Sequence, residues 1–289
     1  MNMAYALLSM VFAGVNDFVF KQYIGRKGQR LGHFITGAGL VWTLVFGACL
    51  LWRQENVSLT HWPISLGAGA ASVLANLLLI HSMRTVPAGT GATIYRLNLV
   101  VVAVMGVVFL GESITTWKVV GVALGAACIW LLRAADGDGR AGQMHAAALL
   151  MLVAACILRA AMGILYKLSD NYEVPKLEVV AISGACWLVG GLLFSRLRRE
   201  PARWTGRTWG YSILSGLLIC GIVYPMIASL SGRGGQASEA SIVLPVAQLS
   251  FVLTAMLGVL FHRERLGWRR ILALAAAVGS ATTLWLSLG

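Results

Sequence analysis

The chain has 289 residues, of which 58% are hydrophobic and 12% are charged, and its mean hydropathy is +0.78. Soluble domains are near half apolar and about one quarter charged, so this composition excludes an ordinary soluble globular protein. The net charge of +12 would favour nucleic-acid binding in a soluble protein. Here the basic residues lie in short segments between apolar runs, where they orient a membrane protein, so no nucleic-acid partner is expected.

Apolar runs of about 20 residues, the length at which a helix crosses a bilayer core, recur along the whole chain. The first run has no small-residue cleavage site behind it and is expected to be a retained helix. The pattern predicts an all-α membrane protein of ten transmembrane helices. In chain order these helices cover residues 3–20, 33–52, 62–83, 88–110, 115–132, 144–166, 178–197, 208–230, 236–261 and 268–288.

The two halves of the sequence resemble each other when residues about 145 to 152 positions apart are compared. Gly39 and Trp42 in helix 2, for example, match Gly184 and Trp187 in helix 7. Each half has five helices, an odd number, so the second copy enters the membrane from the opposite side. We expect two inverted five-helix repeats around a central cavity. The predicted divisions are a first repeat at residues 1–135, a linker at 136–143 and a second repeat at 144–289.

Short motifs then indicate a family. Residues 84–89 (RTVPAG) precede an apolar helix that ends in residues 109–115 (FLGESIT), and a weaker second copy starts at Pro245 and includes residues 261–266 (FHRERL). With Gly14, Asn16 and Lys21 in helix 1, this pattern resembles the EamA type of the drug/metabolite transporter superfamily. The resemblance implies ten helices around a central cavity, with solute efflux or exchange as the activity.

The sequence departs from that family pattern at one position. Similar proteins often have a proline early in helix 4, where this chain has Thr93, whereas Pro245 is present in helix 9. We therefore expect the two halves to bend differently.

Charged and polar residues deep in the membrane are the candidates for a substrate site. Arg96 lies near the centre of helix 4, where inserting a charge costs about 2.5–3.5 kcal/mol, so it must face a cavity or a partner. Arg159 lies near the centre of helix 6, and the same reasoning applies. The alternatives are structural ties to an acidic residue or to helix-end carbonyls, or snorkelling to the interface. The predicted substrate-binding residues are Arg96, Gln248, Arg159, Asn76, Tyr224, Tyr95 and Asn98.

Three further residues are candidates for gating or coupling. Lys21 and Lys167 end helices 1 and 6 at matching repeat positions, where lysines also serve as interfacial anchors. Asp17 precedes Lys21 by one helical turn, so a local ion pair is the structural interpretation. The functional interpretation is a protonatable carboxylate that couples transport to a proton gradient.

The sequence predicts a secondary transporter, not an enzyme. It contains no catalytic, cofactor-binding or metal-binding motif, and its five cysteines lie inside apolar runs without metal-ligand spacing. The expected partners are a small-molecule substrate, with the deep arginines favouring an anionic one, and membrane lipids; a homo-oligomer is compatible with the sequence. The alternatives are a lipid flippase-like protein and an accessory or scaffold membrane protein that transports no solute. The expected location is the plasma membrane of a bacterium, as a multi-pass protein.

The distribution of Lys and Arg predicts an orientation. The loops after helices 1, 3, 5, 7 and 9, with the helix turns that adjoin them, hold 16 of them, and the alternate loops with their adjoining turns hold five. Because short loops rich in basic residues stay in the cytoplasm, this count places both termini outside. The family resemblance implies the opposite orientation, with both termini inside.

Overall fold

The chain folds entirely into helices in the part that is described. The computed structural model describes residues 2–25, 29–54, 61–98, 100–101, 104–105, 114–135, 146–172, 174–201, 204–230, 250–262 and 267–286. Every regular element within these residues is a helix, which confirms the predicted all-α class. The ten helices are α1 (Asn2–Ile24), α2 (Leu31–Arg53), α3 (Trp62–Ser82), α4 (Ala88–Arg96), α5 (Thr116–Ala135), α6 (Ala146–Asn171), α7 (Lys176–Leu197), α8 (Gly206–Leu230), α9 (Ser250–His262) and α10 (Trp268–Leu286).

Four of these helices, α2, α3, α7 and residues 146–166 of α6, are long and apolar enough to cross a membrane. Many large apolar side chains point outward from the bundle, where water would disfavour them and lipid would not. The most exposed include Leu51, Trp52, Trp130, Leu150, Leu197 and Leu260. Length, composition and this outward apolar surface together identify an integral membrane protein.

The helix packing is unchanged when the two halves of the chain are exchanged. Helix α3 packs against α6 and α7, and α8 packs in the same way against α1 and α2. Likewise, α4 contacts α6, and its counterpart α9 contacts α1. Three pairs of corresponding helices also contact each other directly: α2 with α7, α4 with α9, and α5 with α10. The two halves therefore contribute equivalent helices to one interlocked bundle.

The α2–α7 pair lies at the centre of this arrangement. A methyl group on Gly39 would clash with the backbone nitrogen of Leu188, and one on Gly184 would lie 2.9 Å from the backbone nitrogen of Thr43. These two glycines let the helix backbones approach closely. Beside them the rings of Trp42 and Trp187 pack edge to face at 5.5 Å. Because later residues of α2 meet earlier residues of α7, the two helices are antiparallel.

Helices α5 and α10 are antiparallel as well. The Ser280 hydroxyl donates a 2.7 Å hydrogen bond to the Gly121 carbonyl. Gly121 also packs against Leu284, and Gly125 lies against Ser280. Later residues of α5 therefore contact earlier residues of α10, so the two helices run in opposite directions. This pair joins the ends of the two halves.

One predicted helix is interrupted. The sequence predicts a helix over residues 88–110, but α4 ends at Arg96, and helical backbone resumes at Asn98, Val100, Val101, Val104 and Met105. The Leu97 N–H is shared between the carbonyls of Thr93 and Ile94, and the Val100 N–H bonds back only three residues to Leu97. Such short-range bonds tighten the helix and interrupt its regular geometry at Leu97, although the apolar pattern continues. Residues 99, 102–103 and 106–110 lie outside the described part of the chain, as do residues 236–249 of predicted helix 9.

Candidate functional site

Helices α1, α3, α4 and α6 bring polar side chains together inside the bundle. We call Asp17, Asn76, Tyr95, Arg96 and Arg159 the Arg96 cluster. At a rise of 1.5 Å per residue, Arg96 lies about 12 Å along α4 from its first residue. Arg159 falls near the middle of the 26-residue helix α6. Arg159, which contacts the Tyr95 ring, therefore lies away from both ends of a segment long and apolar enough to cross a membrane.

A buried ion pair joins the first and fourth helices. One nitrogen of the Arg96 guanidinium donates to the Asp17 carboxylate at 3.0 Å, and both side chains are more than nine-tenths buried. The expectation that Asp17 pairs with Lys21 is wrong. The turn spacing does place these two residues on one face of α1, but Arg96 reaches the same carboxylate from another helix. Arg96 thus has the acidic partner that its structural interpretation predicted.

The Tyr95 ring lies between the charges of the cluster and α3. The guanidinium carbons of Arg96 and Arg159 lie 5.6 Å and 5.9 Å from the centre of this ring, within the range of cation–π attraction. The Tyr95 hydroxyl accepts a 3.2 Å hydrogen bond from the Asn76 amide, which also donates to the Ser72 carbonyl. The sequence-predicted residues Asn76, Tyr95, Arg96 and Arg159 therefore belong to one site.

Arg159 is placed differently from Arg96. Its side chain is only partly buried, and the hydrogen bond described for it goes to the thioether sulfur of Met162 at 3.3 Å. A thioether is a weak acceptor and carries no charge. A charge deep in a membrane is costly unless it meets a partner, water or solute.

Buried polar atoms without a partner lie in and beside the described part of the cluster. The Arg96 Nε is buried and has no hydrogen-bond acceptor there. Asn98, which follows α4, is also buried, and its side-chain oxygen has no donor among the described residues. Away from helix ends, Asp17 is the one acidic residue within the described helices. Two arginine charges therefore face a single carboxylate.

Lys21 ties α1 to the connection between α3 and α4. Its ammonium donates to the carbonyls of Met83 at 2.6 Å and Val86 at 2.7 Å. These carbonyls lie at the end of α3 and just before α4, where helix geometry leaves acceptors without backbone partners. A cation at a helix C-terminus is also favoured by the helix dipole.

Helix α1 is also fixed to the second half of the chain. The Ser215 hydroxyl of α8 donates to the Asn16 side-chain oxygen at 2.8 Å. The Thr254 hydroxyl of α9 donates to the Gly14 carbonyl at 3.2 Å. The helix that carries Asp17 is therefore held between the two halves.

The side chains of the remaining predicted site residues lie outside the described part of the structure. Gln248 is outside the described residues, and Lys167 and Tyr224 lie in α6 and α8 with side chains that are not described. Sequence reasoning did not assign Met162 or Tyr166 to the site. Both follow Arg159 on α6, and the Tyr166 hydroxyl lies 3.4 Å from the Ser183 hydroxyl. Their spacing of three and seven residues from Arg159 was the available signal.

A second polar cluster lies where α2 begins and α7 ends. The Glu200 carboxylate accepts from the backbone N–H groups of Gly32 and His33 at 3.1 Å and 3.2 Å. It also lies 2.9 Å from Nδ1 of His33, and the Ser195 hydroxyl is 3.1 Å from the same nitrogen. We call His33, Ser195 and Glu200 the Glu200 cluster. A carboxylate at a helix N-terminus satisfies free N–H donors and meets the positive end of the dipole.

Comparison with known proteins places this architecture. The sequence matches the EamA-like transporter family over residues 1–134 and 146–286, which together make up nearly the whole chain. The chain belongs to the EamA-like transporter family. This confirms the family predicted from the motifs around α4 and α9, within the drug/metabolite transporter superfamily. An EamA-like protein is a membrane transporter, and the family is one of transporters, not of enzymes.

Structural comparison supports the fold of this EamA-like chain. It is similar to a solved structure described only as a crystal structure of a protein, with a TM-score of 0.66 and 17% sequence identity. The match covers 96% of this chain and 94% of the other. No curated protein sequence matches the chain. At this identity the likeness concerns the fold alone.

Proposed function

We propose that this EamA-like protein is a secondary carrier that moves a small metabolite or amphipathic solute by alternating access, in efflux or exchange. The observation that carries the proposal is Arg159, a partly exposed guanidinium deep in an apolar bundle. Such a charge is costly to keep in a membrane unless it serves a water-filled pathway. Its position among α1, α3 and α4 supports a pathway inside the bundle.

The alternating-access mechanism rests on a proposed architecture of two inverted five-helix repeats, at residues 1–135 and 144–289, around a central cavity. The support is the helix packing, which is preserved when the halves are exchanged, and the antiparallel α2–α7 and α5–α10 pairs. Repeat mates that run in opposite directions are what an inverted repeat requires. In transporters of this design one half rocks against the other around a site near the midplane.

Within this mechanism the Arg96 cluster and Asn98 form the substrate site, completed by Gln248 and Tyr224 from the second half. Lys21, with Asp17 and Lys167, has the gating or coupling role. The support for Lys21 is its pair of bonds to the Met83 and Val86 carbonyls, because α4 cannot move relative to α1 while both persist. Breaking them is therefore a step that opening would have to include.

The experiment is a flux assay in proteoliposomes. Purified full-length protein is reconstituted with a panel of amino acids, organic acids, amines, sugars and nucleosides inside, and exchange for external labelled solute is measured. Arg96→Ala should abolish flux of any solute that the wild type moves. Arg198→Gln removes an exposed arginine beside Phe194 and serves as the matched control that should retain flux. If wild-type protein moves no solute of any class, the carrier proposal is wrong.

We also propose that the protein resides in a bacterial plasma membrane with its basic loops in the cytoplasm. The support is the 16-to-five distribution of Lys and Arg between alternate loops. The proposal places Gly289 outside the cell. The loops that face the cytoplasm then include Arg196, Arg198, Arg199, Arg203, Arg263, Arg265, Arg269 and Arg270. A C-terminal reporter that fluoresces only in the cytoplasm should stay dark, and a bright signal would favour the family orientation instead.

A further inference from the structure

The charges of the Arg96 cluster do not balance, and this imbalance bears on the class of solute. Arg96 and Arg159 both flank Tyr95, whereas Asp17 is the one carboxylate described in contact with either arginine. The cluster as described therefore carries one net positive charge at membrane depth. A charge deep in a membrane without a counter-ion is disfavoured, so an anion would complete the site most favourably.

Part of the hydrogen-bonding capacity of the two arginines is also unused. A guanidinium has five N–H donors in a planar fork, and Asp17 accepts a hydrogen bond from one nitrogen of the Arg96 guanidinium. The Arg96 Nε is buried without an acceptor in the described part of the chain, and the described acceptor for Arg159 is the Met162 sulfur. Carboxylates and phosphates match the guanidinium fork in both charge and geometry, often through two parallel bonds.

The same arrangement disfavours other solutes. A cationic amine would be repelled by the excess positive charge. A neutral solute would leave the extra charge uncompensated. Asp17 cannot neutralise both arginines, because a single carboxylate carries one charge.

We propose that the solute carries a carboxylate or phosphate group, which Arg159 binds beside the positive charge of Arg96. Asp17 holds Arg96 in place and restricts the site to one uncompensated positive charge, so a monoanion is the preferred cargo. This inference rests on the proposed carrier function and names the chemical class of its substrate. Arg159 is the contact residue that decides the preference, and Asp17 is the positioning residue.

The test compares solutes that differ only in charge. Purified full-length protein is titrated with benzoate against benzamide, acetate against acetamide, inorganic phosphate, and benzylamine, and the shift in melting temperature is followed. The wild type should be stabilised by the anions at millimolar concentration and bind each acid at least about tenfold more tightly than its amide. Counterflow in proteoliposomes should show the same order.

Variants separate the role of Arg159 from a structural one. Arg159→Gln leaves the Asp17–Arg96 pair intact, so it should fold normally and lose the acid-over-amide preference. Arg159→Lys keeps the charge but not the fork, and should retain part of the preference. Arg198→Gln, the exposed control, should bind like the wild type. Asp17→Asn adds a second uncompensated charge and should tighten anion binding several-fold, with Asp17→Glu as its charge-retaining control.

The outcomes distinguish this inference from the proposed function. If the wild type transports amides or amines as well as it transports the acids, or if Arg159→Gln keeps the preference, the anion inference is overturned while the carrier proposal stands. A wild type that none of the anions stabilises would overturn it as well. A protein that moves no solute of any class would instead remove the carrier proposal.

Discussion

The Arg96 cluster and the Glu200 cluster both set a carboxylate against a basic side chain within the bundle, but they are completed differently. Glu200 meets the N–H groups of Gly32 and His33 and the imidazole of His33, so its acceptors match the donors around it. In the Arg96 cluster one carboxylate faces two guanidiniums, and the Arg96 Nε has no described acceptor. A satisfied network stabilises a structure, whereas one with unused donors is prepared for a ligand.

The positions of the two clusters agree with this difference. Glu200 joins the end of α7 to the start of α2, and so connects the two halves at the edge of their largest contact. Asp17 and Arg96 belong to one half and lie deep in the bundle, with Arg159 reaching them from the other half. We infer that the first cluster holds the halves together and the second serves the solute. Four substitutions test this comparison.

The largest effect is expected when Arg96 is replaced. Arg96→Gln leaves the Asp17 carboxylate buried without its cation, and breaking a buried ion pair from one side costs about 3–5 kcal/mol. The melting temperature of the purified protein should fall by several degrees, or folded protein should be lost.

The double variant Asp17→Asn with Arg96→Gln is the control for that prediction. It buries two neutral amides in place of the ion pair and should recover most of the lost stability. Equal losses in the single and double variants would show that Arg96 stabilises the fold by packing and not through Asp17.

The sequence predicted a helix at the place of each helix whose bounds are described, because a bilayer demands long apolar runs and that demand is readable residue by residue. Four of these helices are long and apolar enough to cross a membrane. The sequence did not predict the interruption at Leu97, since the apolar pattern continues past the point where the hydrogen bonding changes. It predicted a deep site at Arg96 and Arg159 from the cost of burying charge. It assigned Asp17 the wrong partner because spacing rules find neighbours on one helix, and Arg96 lies 79 residues away.

A smaller effect is expected in the Glu200 cluster. Glu200→Gln replaces one carboxylate oxygen with an amide that cannot accept, so one hydrogen bond to Gly32 or His33 is lost along with the charge at the α2 N-terminus. Hydrogen bonds to charged groups contribute about 1.5–3 kcal/mol, and the melting temperature should fall accordingly. Because this cluster is structural, the solute preference of the folded protein should not change. A changed preference would contradict the division between the two clusters.

A still smaller effect is expected from Tyr95→Phe. The ring that lies near both guanidiniums is kept, and only the hydroxyl that accepts from Asn76 is removed. Asn76 keeps its bond to the Ser72 carbonyl, so the loss should be about 0.5–1.5 kcal/mol. Tyr172→Phe alters an exposed tyrosine and should leave the melting temperature unchanged. If Tyr95→Phe lost as much stability as is expected for Arg96→Gln, the Tyr95 hydroxyl would have a partner beyond Asn76.

The smallest effect on stability, and the one that separates the two clusters most sharply, is expected from Arg159→Gln. Replacing a residue that stabilises the fold lowers the free energy of unfolding. An uncompensated charge inside a membrane, in contrast, itself lowers that free energy. Without solute, Arg159→Gln should therefore leave the melting temperature unchanged or raise it. With an anionic solute present the order should reverse, because only the wild type gains the binding free energy of the ligand. The measurement is a pair of melting curves for each protein, without and with benzoate.

If Arg159→Gln is clearly less stable than the wild type in the absence of solute, Arg159 is a structural residue like Glu200. The excess charge of the cluster would then have a counter-ion within the protein itself.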